Sequence, residues 1–207
     1  MNPERMIAPA AELNPELAER MQFILELDRL KNVLRKNALA DGSRHENSAE
    51  HSWHLALTAM VMAPHARADI QLDKVIKMLL VHDIIEIDAG DVDIFDIQAR
   101  ADNEANEQRA AERIFGLLPE PHAGELKALW QEFEARETPE AQFAYSCDRF
   151  QPLLLNLAVD GKAWRDRGVT ATQVKDINSR MDAGLESVWP VAEQLLAKMV
   201  DEGSIEP

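Results

Sequence analysis

The sequence predicts an all-α fold, arranged as one bundle of helices. Apolar residues recur at helical spacing along almost the whole chain of 207 residues, and no segment alternates as a strand would. Aromatic residues make up only 5% of the chain, whereas Leu, Ala, Met and Glu are frequent, which favours helices. Because no linker, composition shift or repeat divides the chain, we expect a single domain over residues 1–207.

The N-terminal part predicts one helix and one loop. Residues 1–14 are expected to form an irregular N-terminal extension. Asn14 followed by Pro15 is typical of a helix start, because Pro is well tolerated at the first helical position. An apolar stripe continues this helix to about Arg35. The polar, turn-rich segment 40–47 is predicted to be a loop.

The middle of the chain predicts two helices, which carry His51 and the His82-Asp83 pair. Ser48 is expected to cap the first of them, which ends near Pro64. The second begins near Leu72 and runs to Ile85. It is apolar on nearly every side, which predicts a buried central helix.

The remaining helices complete the predicted bundle. Pro139 is expected to open a helix that contains Asp148, and the last helix is expected to bend at Pro190. We predict a core over residues of about 15–160 and a C-terminal helical extension over 170–200. The other helices are expected at about 98–118 and 125–136.

Charge and cysteine content limit the classes of function. The chain has 22 Lys and Arg against 37 Asp and Glu, a formal net charge of −15. Such a surface disfavours a nucleic acid polymer as partner, but a small phosphorylated substrate can bind where a cation reverses the local field. Cys147 is the single cysteine, so no intrachain disulfide is expected. No signal peptide or membrane-length apolar run is evident, and we expect a cytoplasmic protein.

His82 and Asp83 are adjacent within the most apolar predicted helix. One interpretation is a neutral core histidine beside an aspartate in a structural ion pair. The other is a metal site, because a buried carboxylate needs a compensating charge. Glu86 lies three to four residues further on and shares the helix face. Asp91 follows at a predicted turn.

Two further residues could complete a metal site. His51 lies at the start of an earlier predicted helix, and Asp148 precedes a later apolar run. The alternative for Asp148 is a surface charge paired with Arg149. Two imidazoles and two carboxylates suit Mn, Co, Fe, Ni or Zn better than Mg. A divalent cation with open positions would activate water and polarise a phosphoryl oxygen.

The order His51, His82-Asp83, Asp148 resembles the H…HD…D signature of the HD superfamily of metal-dependent phosphohydrolases. The stretch from Glu46 to Ser52, the segment 82–86 and Gly90-Asp91 look like the HD-domain 5′-deoxynucleotidases. The resemblance covers roughly residues 20–160. It implies an HD-domain helical bundle.

The resemblance also implies roles for individual residues. The four residues of the signature would bind one divalent cation. Glu86 and Asp91 would serve as the catalytic acid and base, with the division between them open. Arg35 is the candidate for holding the phosphate, and Arg44 and Lys36 are further substrate-binding candidates. Lys36 stands where the nucleotidases carry a Trp that helps to reject a ribose 2′-hydroxyl, so deoxyribose selectivity is not predicted.

The leading functional hypothesis is release of phosphate from a nucleoside 5′-monophosphate. An alternative enzyme with the same metal site would be a phosphodiesterase or an alarmone or nucleoside triphosphate hydrolase. A third hypothesis is a non-catalytic regulator that binds a nucleotide, or an adaptor whose metal is structural. The spare carboxyls of Glu86 and Asp91 argue against a structural metal, because such sites are coordinatively closed. The resemblance further suggests a homodimer.

Overall fold

The computed structural model describes residues 3–207, and within that range the fold is predominantly helical, as predicted. Eleven α-helices and one antiparallel pair of short strands occur there. Three 3₁₀ segments join them, at Asp28–Asn32, Ala63–His65 and Ser179–Ala183. The elements are α1 Pro3–Leu13, α2 Pro15–Leu27, β1 Leu34–Ala38, β2 His45–Asn47, α3 Ser48–Met62, α4 Leu72–Val81, α5 Glu86–Ala89, α6 Ile97–Phe115, α7 His122–Ala135, α8 Pro139–Ala158, α9 Lys162–Arg165, α10 Ala171–Asn178 and α11 Val188–Asp201.

The N-terminal region is more ordered than the sequence predicted. Helix α1 occupies Pro3–Leu13, where an irregular extension was expected. Helix α2 starts as predicted, with the Asn14 side chain accepting a hydrogen bond from the Leu17 amide at 3.1 Å. It ends at Leu27 and not near Arg35, because the chain tightens into a 3₁₀ segment and then becomes extended.

Strands β1 and β2 form a small hairpin that the sequence analysis did not predict. Leu34 pairs with Asn47 and Ala38 with His45, so the predicted loop 40–47 is partly a strand. The strands carry mostly polar residues and lack a clean alternation, which removes the usual signal. The Asn156 side-chain amide of α8 donates to Asn37 Oδ1 at 3.0 Å and ties the hairpin to the bundle.

The N-cap of helix α3 is Asn47, one residue before the predicted Ser48. The Asn47 side chain accepts from the Glu50 amide at 3.0 Å, and the Glu50 carboxylate accepts from the Asn47 amide at 2.8 Å. This reciprocal pair is a capping box. It leaves the Ser48 hydroxyl free to donate to Glu86 Oε2 at 2.6 Å.

The predicted central helix is interrupted at the His-Asp pair. Helix α4 ends at Val81, residues 82–85 form a tight turn, and α5 follows. The Glu86 amide bonds to the Asp83 carbonyl at 3.0 Å, an i to i+3 pattern that is tighter than an α-helix. The positive φ of 76° at Gly90 then ends α5, a conformation that Gly adopts at low cost.

Two buried apolar clusters meet at α4. Met78 of α4 belongs to the larger cluster, which reaches α8 and the C-terminal helices. Val81 belongs to the smaller cluster, which includes Phe115 of α6 and Trp130 of α7. Helix α4 is therefore central to the fold. In the turn at its end, Ile84 and Ile85 belong to the smaller cluster, and His82 packs against Phe133 of the larger one.

The C-terminal region is divided into α10, a 3₁₀ segment and α11, where one bent helix was predicted. Pro190 lies in the first turn of α11, where Pro causes no kink. The break precedes it, at Gly184, whose Cα lies against the backbone of Gln142 in α8. Within the described residues, no helix combines the length and the hydropathy needed to cross a membrane.

Candidate metal centre

The structure brings the four predicted metal ligands together from three segments of the chain. His51 comes from α3, His82 and Asp83 from the turn after α4, and Asp148 from α8. Ligand atoms of His51, His82 and Asp83 lie within 4.8 Å of one another. Asp148 Oδ1 lies 3.0 Å from His51 Nε2 and 3.7 Å from His82 Nε2.

The histidine hydrogen bonds fit a metal site. His82 Nδ1 lies 2.8 Å from the Leu79 carbonyl oxygen, and a carbonyl can only accept, so Nδ1 carries a proton. With His82 neutral, the lone pair of its Nε2 faces Asp83 and Asp148. That Nε2 atom is buried and lies 3.0 Å from Asp83 Oδ1, although the contact lacks the geometry of a hydrogen bond. An outward hydrogen bond that fixes one nitrogen and leaves the other open is characteristic of metal-binding histidines.

Two residues that the sequence analysis did not assign support His51. Its Nδ1 lies 3.1 Å from Gln151 Oε1 and 3.2 Å from Glu46 Oε2. The Gln151 side chain in turn donates to Glu46 Oε1 at 2.9 Å. Gln151 follows Asp148 by three residues on α8, and this helical spacing is a signal that could have identified it.

Arg35 lies among the acidic groups of the centre. Its Nη1 donates to Asp83 Oδ2 at 2.8 Å and lies 3.9 Å from Asp91 and 4.0 Å from Glu86. Burial lowers the pKa of Arg35, but the carboxylates, above all Asp83, more than offset this and raise its pKa overall. The guanidinium therefore stays charged inside the site.

Glu86 and Asp91 differ electrostatically from the candidate ligand Asp148. Burial and the neighbouring Asp83 raise the pKa of Glu86 well above its usual value. Burial also raises the pKa of Asp91, although Arg35 opposes the change. Burial alone would raise the pKa of Asp148. Its pKa nevertheless falls well below its usual value, because Arg149 and the two histidines stabilise the charged carboxylate. The centre thus combines an ionised Asp148 with two carboxyls, Glu86 and Asp91, whose raised pKa favours protonation.

The centre opens into a cavity lined by both basic and acidic side chains. Six of the chain's 22 basic residues line it, beside seven Asp and Glu residues. Apolar side chains, among them Phe95 and Trp164, line it as well. The six basic residues are Arg35, Lys36, Arg100, Arg136, Arg149 and Arg167.

One substrate-binding prediction is not supported by the position of the residue. Arg44 lies on the exposed hairpin and does not line the cavity. Its Nη2 donates to Glu50 Oε2 at 2.8 Å. Arg44 extends the polar cap of α3, because the Glu50 side chain already accepts from the backbone there.

These features define an α-helical protein with a buried centre that could hold a metal ion between two histidines and two aspartates. A family model described as HD domain matches residues 27–189. The chain therefore belongs to the HD domain family.

Similar proteins include 5′-deoxynucleotidases and a solved bacterial structure. The 5′-deoxynucleotidase HDDC2 of Homo sapiens is 30% identical over 135 residues, which span 65% of this chain and 65% of that protein. The Bos taurus protein of the same name is 28% identical over 149 residues, 71% of each chain. The matched region thus spans about two thirds of the length of these relatives.

The structural comparisons support the same fold. A structure described as a predicted metal-dependent phosphohydrolase from Magnetospirillum magnetotacticum MS-1 is 47% identical, with a TM-score of 0.87. It covers 93% of this chain and 96% of its own. A conserved hypothetical protein from Pyrococcus furiosus is 18% identical with a TM-score of 0.52 and covers 89% of this chain and 96% of its own. That second likeness concerns the fold alone.

Proposed function

We propose that this protein is a cytoplasmic, metal-dependent phosphohydrolase that releases phosphate from nucleoside 5′-monophosphates. One observation carries the proposal: a single cavity joins His82, Asp83 and Asp148 to Arg35 and to the further carboxyls of Glu86 and Asp91. A purely structural metal site would need neither a buried arginine nor carboxyls beyond its ligands. The names of the similar proteins, 5′-deoxynucleotidases and a metal-dependent phosphohydrolase, agree with this chemistry.

His51, His82, Asp83 and Asp148 would hold one divalent cation. Such a ligand set suits Mn, Co, Fe, Ni or Zn better than Mg. When bound, the cation supplies charge that stabilises the reacting phosphoryl group and acidifies water. The buried Nε2 of His82, which faces Asp83 and Asp148 without a well-formed hydrogen bond, most directly supports the assignment.

Arg35 is placed to bind the phosphate. It is charged and buried beside Asp83, Glu86 and Asp91, and a guanidinium can donate two parallel hydrogen bonds to phosphate oxygens. Lys36 lines the same cavity and adds positive charge at its wall. Because Lys36 offers an ammonium and not a flat apolar ring, we do not propose selectivity for deoxyribose.

Glu86 and Asp91 would exchange the protons. The raised pKa of Glu86 favours a protonated carboxyl, which would donate its proton to the leaving ester oxygen. The Ser48 hydroxyl bonds to Glu86 Oε2 and restricts its orientation. Asp91 would accept a proton from the attacking water. A residue in such a role contributes roughly 10²- to 10⁴-fold to the rate.

The test is phosphate release from ribo- and deoxyribonucleoside monophosphates after the protein is stripped of metal and reloaded with Mn, Co, Zn or Mg. Glu86→Gln should lower the rate by at least about 10²-fold while still binding metal. The matched control is Glu104→Gln, which changes an exposed carboxyl of α6 and should leave the rate unchanged. A folded, metal-loaded protein that releases no phosphate from any of these substrates would exclude the proposed activity.

We also propose that the chain forms one HD domain, with its core over about 15–160 and a C-terminal helical extension over 170–200, and that it forms a homodimer. The family match over residues 27–189 supports a single domain. Trp53, Leu57 and Met60 form an exposed apolar stripe on α3, which supports association. Light scattering should give twice the chain mass of 23.3 kDa, and a monomer mass would contradict the dimer.

A further inference from the structure

Two arginines stack against one tyrosine in the wall of the cavity. The Arg136 guanidinium lies 4.1 Å from the centre of the Tyr145 ring, and that of Arg149 lies 5.4 Å from it. Arg136 directly follows α7, whereas Tyr145 and Arg149 are one turn apart on α8. All three line the cavity of the candidate metal centre, and none has a role in the proposed reaction.

The two guanidinium groups are incompletely satisfied. The Nε atoms of Arg136 and Arg149 are both buried, and neither has a hydrogen-bond partner among the described residues. The carboxylate that approaches Arg136 is Glu134, at 3.9 Å. Buried donors without partners are rare in folded proteins and call for an explanation. A ligand that accepts hydrogen bonds in the cavity would provide one.

The charge balance also points to an anionic ligand. Arg149 pairs with Asp148 Oδ2, while Asp148 Oδ1 faces the two histidines of the centre. A carboxylate that neutralises part of a divalent cation cannot also neutralise a guanidinium fully. With the cation in place, Asp148 therefore compensates the charge of Arg149 only in part, and Arg136 has only the Glu134 carboxylate at 3.9 Å.

We infer that Arg136, Tyr145 and Arg149 form a second anion-binding subsite, which takes a phosphate group other than the one that is cleaved. This inference rests on the proposed function, in which Arg35 holds the reacting phosphate beside Asp83. Arg149 pairs with Asp148 and Arg35 with Asp83, so different carboxylates of the centre hold the two guanidinium groups. The chemical class of ligand that fills both is a nucleotide with two phosphate groups.

The experiment measures binding and not turnover. Metal-loaded Glu86→Gln protein is titrated by calorimetry with adenosine 5′-monophosphate, adenosine 5′-diphosphate, adenosine 3′,5′-bisphosphate and inorganic phosphate. At least one ligand with two phosphates should bind about tenfold or more tightly than the monophosphate, as expected for a hydrogen bond to a charged group. Arg136→Met in the same background should reduce this ratio to within about twofold.

The matched control is Arg100→Met, which removes a positive charge from the same cavity but outside the tyrosine stack. It should leave the affinity ratio unchanged. Arg136→Gln is the second variant if circular dichroism shows that Arg136→Met does not fold. Tighter binding of the diphosphate would show that the second phosphate is attached to the first, and tighter binding of the bisphosphate that it is attached to the 3′ oxygen. Binding of a second equivalent of inorganic phosphate would identify a free anion as the occupant.

Three results would overturn the inference. The ligands with two phosphates could bind no more tightly than the monophosphate, with one equivalent of inorganic phosphate bound. The preference could survive the loss of Arg136 in a folded protein. It could also fall equally in Arg100→Met. Failure of the wild-type protein to release phosphate from a monophosphate would count against the proposed function, whereas these binding ratios test the subsite separately.

Discussion

Replacing Glu46 by Gln should weaken metal binding, although Glu46 is not among the four proposed ligands. The side chain is 1% exposed and lies behind His51, with Oε2 at 3.2 Å from His51 Nδ1. Its Oε1 accepts from the Gln151 side-chain amide at 2.9 Å. A carboxylate in this position orients the imidazole and increases its basicity as a ligand.

The expected magnitude follows from this geometry. Glu46 Oε1 accepts from Gln151 Nε2, and Oε2 lies 3.2 Å from His51 Nδ1 without a well-formed hydrogen bond, so the amide nitrogen of a glutamine would meet either Gln151 Nε2 or the proton on His51 Nδ1. No rotation of the amide avoids this conflict. Changes to such supporting groups typically lower metal affinity about 10- to 100-fold, which corresponds to about 1.4–2.7 kcal/mol. Because the contact is buried, solvent should screen little of this effect.

The assay is a competitive titration of Mn²⁺ or Co²⁺ against a chelator of known affinity. Glu50→Gln is the matched control, because Glu50 also lies at the start of α3 but pairs with exposed Arg44 and can keep its cap as a glutamine. Its metal affinity should equal that of the wild type. A Glu46→Gln protein with an unchanged circular dichroism spectrum and a metal affinity within about twofold of the wild type would refute the reasoning.

Two further predictions concern stability. Gly184→Ala should destabilise the protein by about 1–3 kcal/mol, as overpacking does, because a Cβ there would lie 2.3 Å from a backbone oxygen of α8; chemical denaturation measures this. The control Gly124→Ala, in α7 and facing only a flexible side chain, should be neutral or stabilising, and equal effects of the two substitutions would contradict the packing argument. In chelator-treated protein, burial lowers the pKa of His82 but Asp83 and Asp148 raise it overall, to about 9. Protonated His82 therefore stabilises the fold fully below a pH of about 6.5, and this contribution is lost as the pH rises to about 9. The thermal unfolding temperature of the metal-free protein should fall across this range, more steeply than in His82→Asn, and equal slopes would disprove the linkage.

Much of the metal centre could be predicted from the chain alone. An adjacent His82 and Asp83 in an apolar segment is costly unless the charge is compensated, so the pair stands out without any structure. Glu86 and Asp91 follow within a few residues and must lie nearby. The long helices α6, α7 and α8 also followed from periodicity, because an amphipathic stripe is a local property of the sequence.

The sequence did not predict the elements that depend on partners distant in the chain. The β1–β2 hairpin has little alternation, and it is held by hydrogen bonds to α8. The central helix was expected to continue through His82, but it tightens there because the turn is packed between two clusters. The sequence also gave no sign that Arg44 pairs with Glu50 at the start of α3, and substrate binding by Arg44 stays a prediction.

The sequence by itself determined the helical fold class and the four residues that could ligate a metal, because both follow from local pattern and from the cost of burying charge. Only the tertiary structure decided what surrounds those residues. It placed Glu46 and Gln151 behind His51, and it stacked Arg136 and Arg149 on one tyrosine. Such contacts join residues up to about a hundred positions apart in the chain, and their geometry arises only when the helices pack.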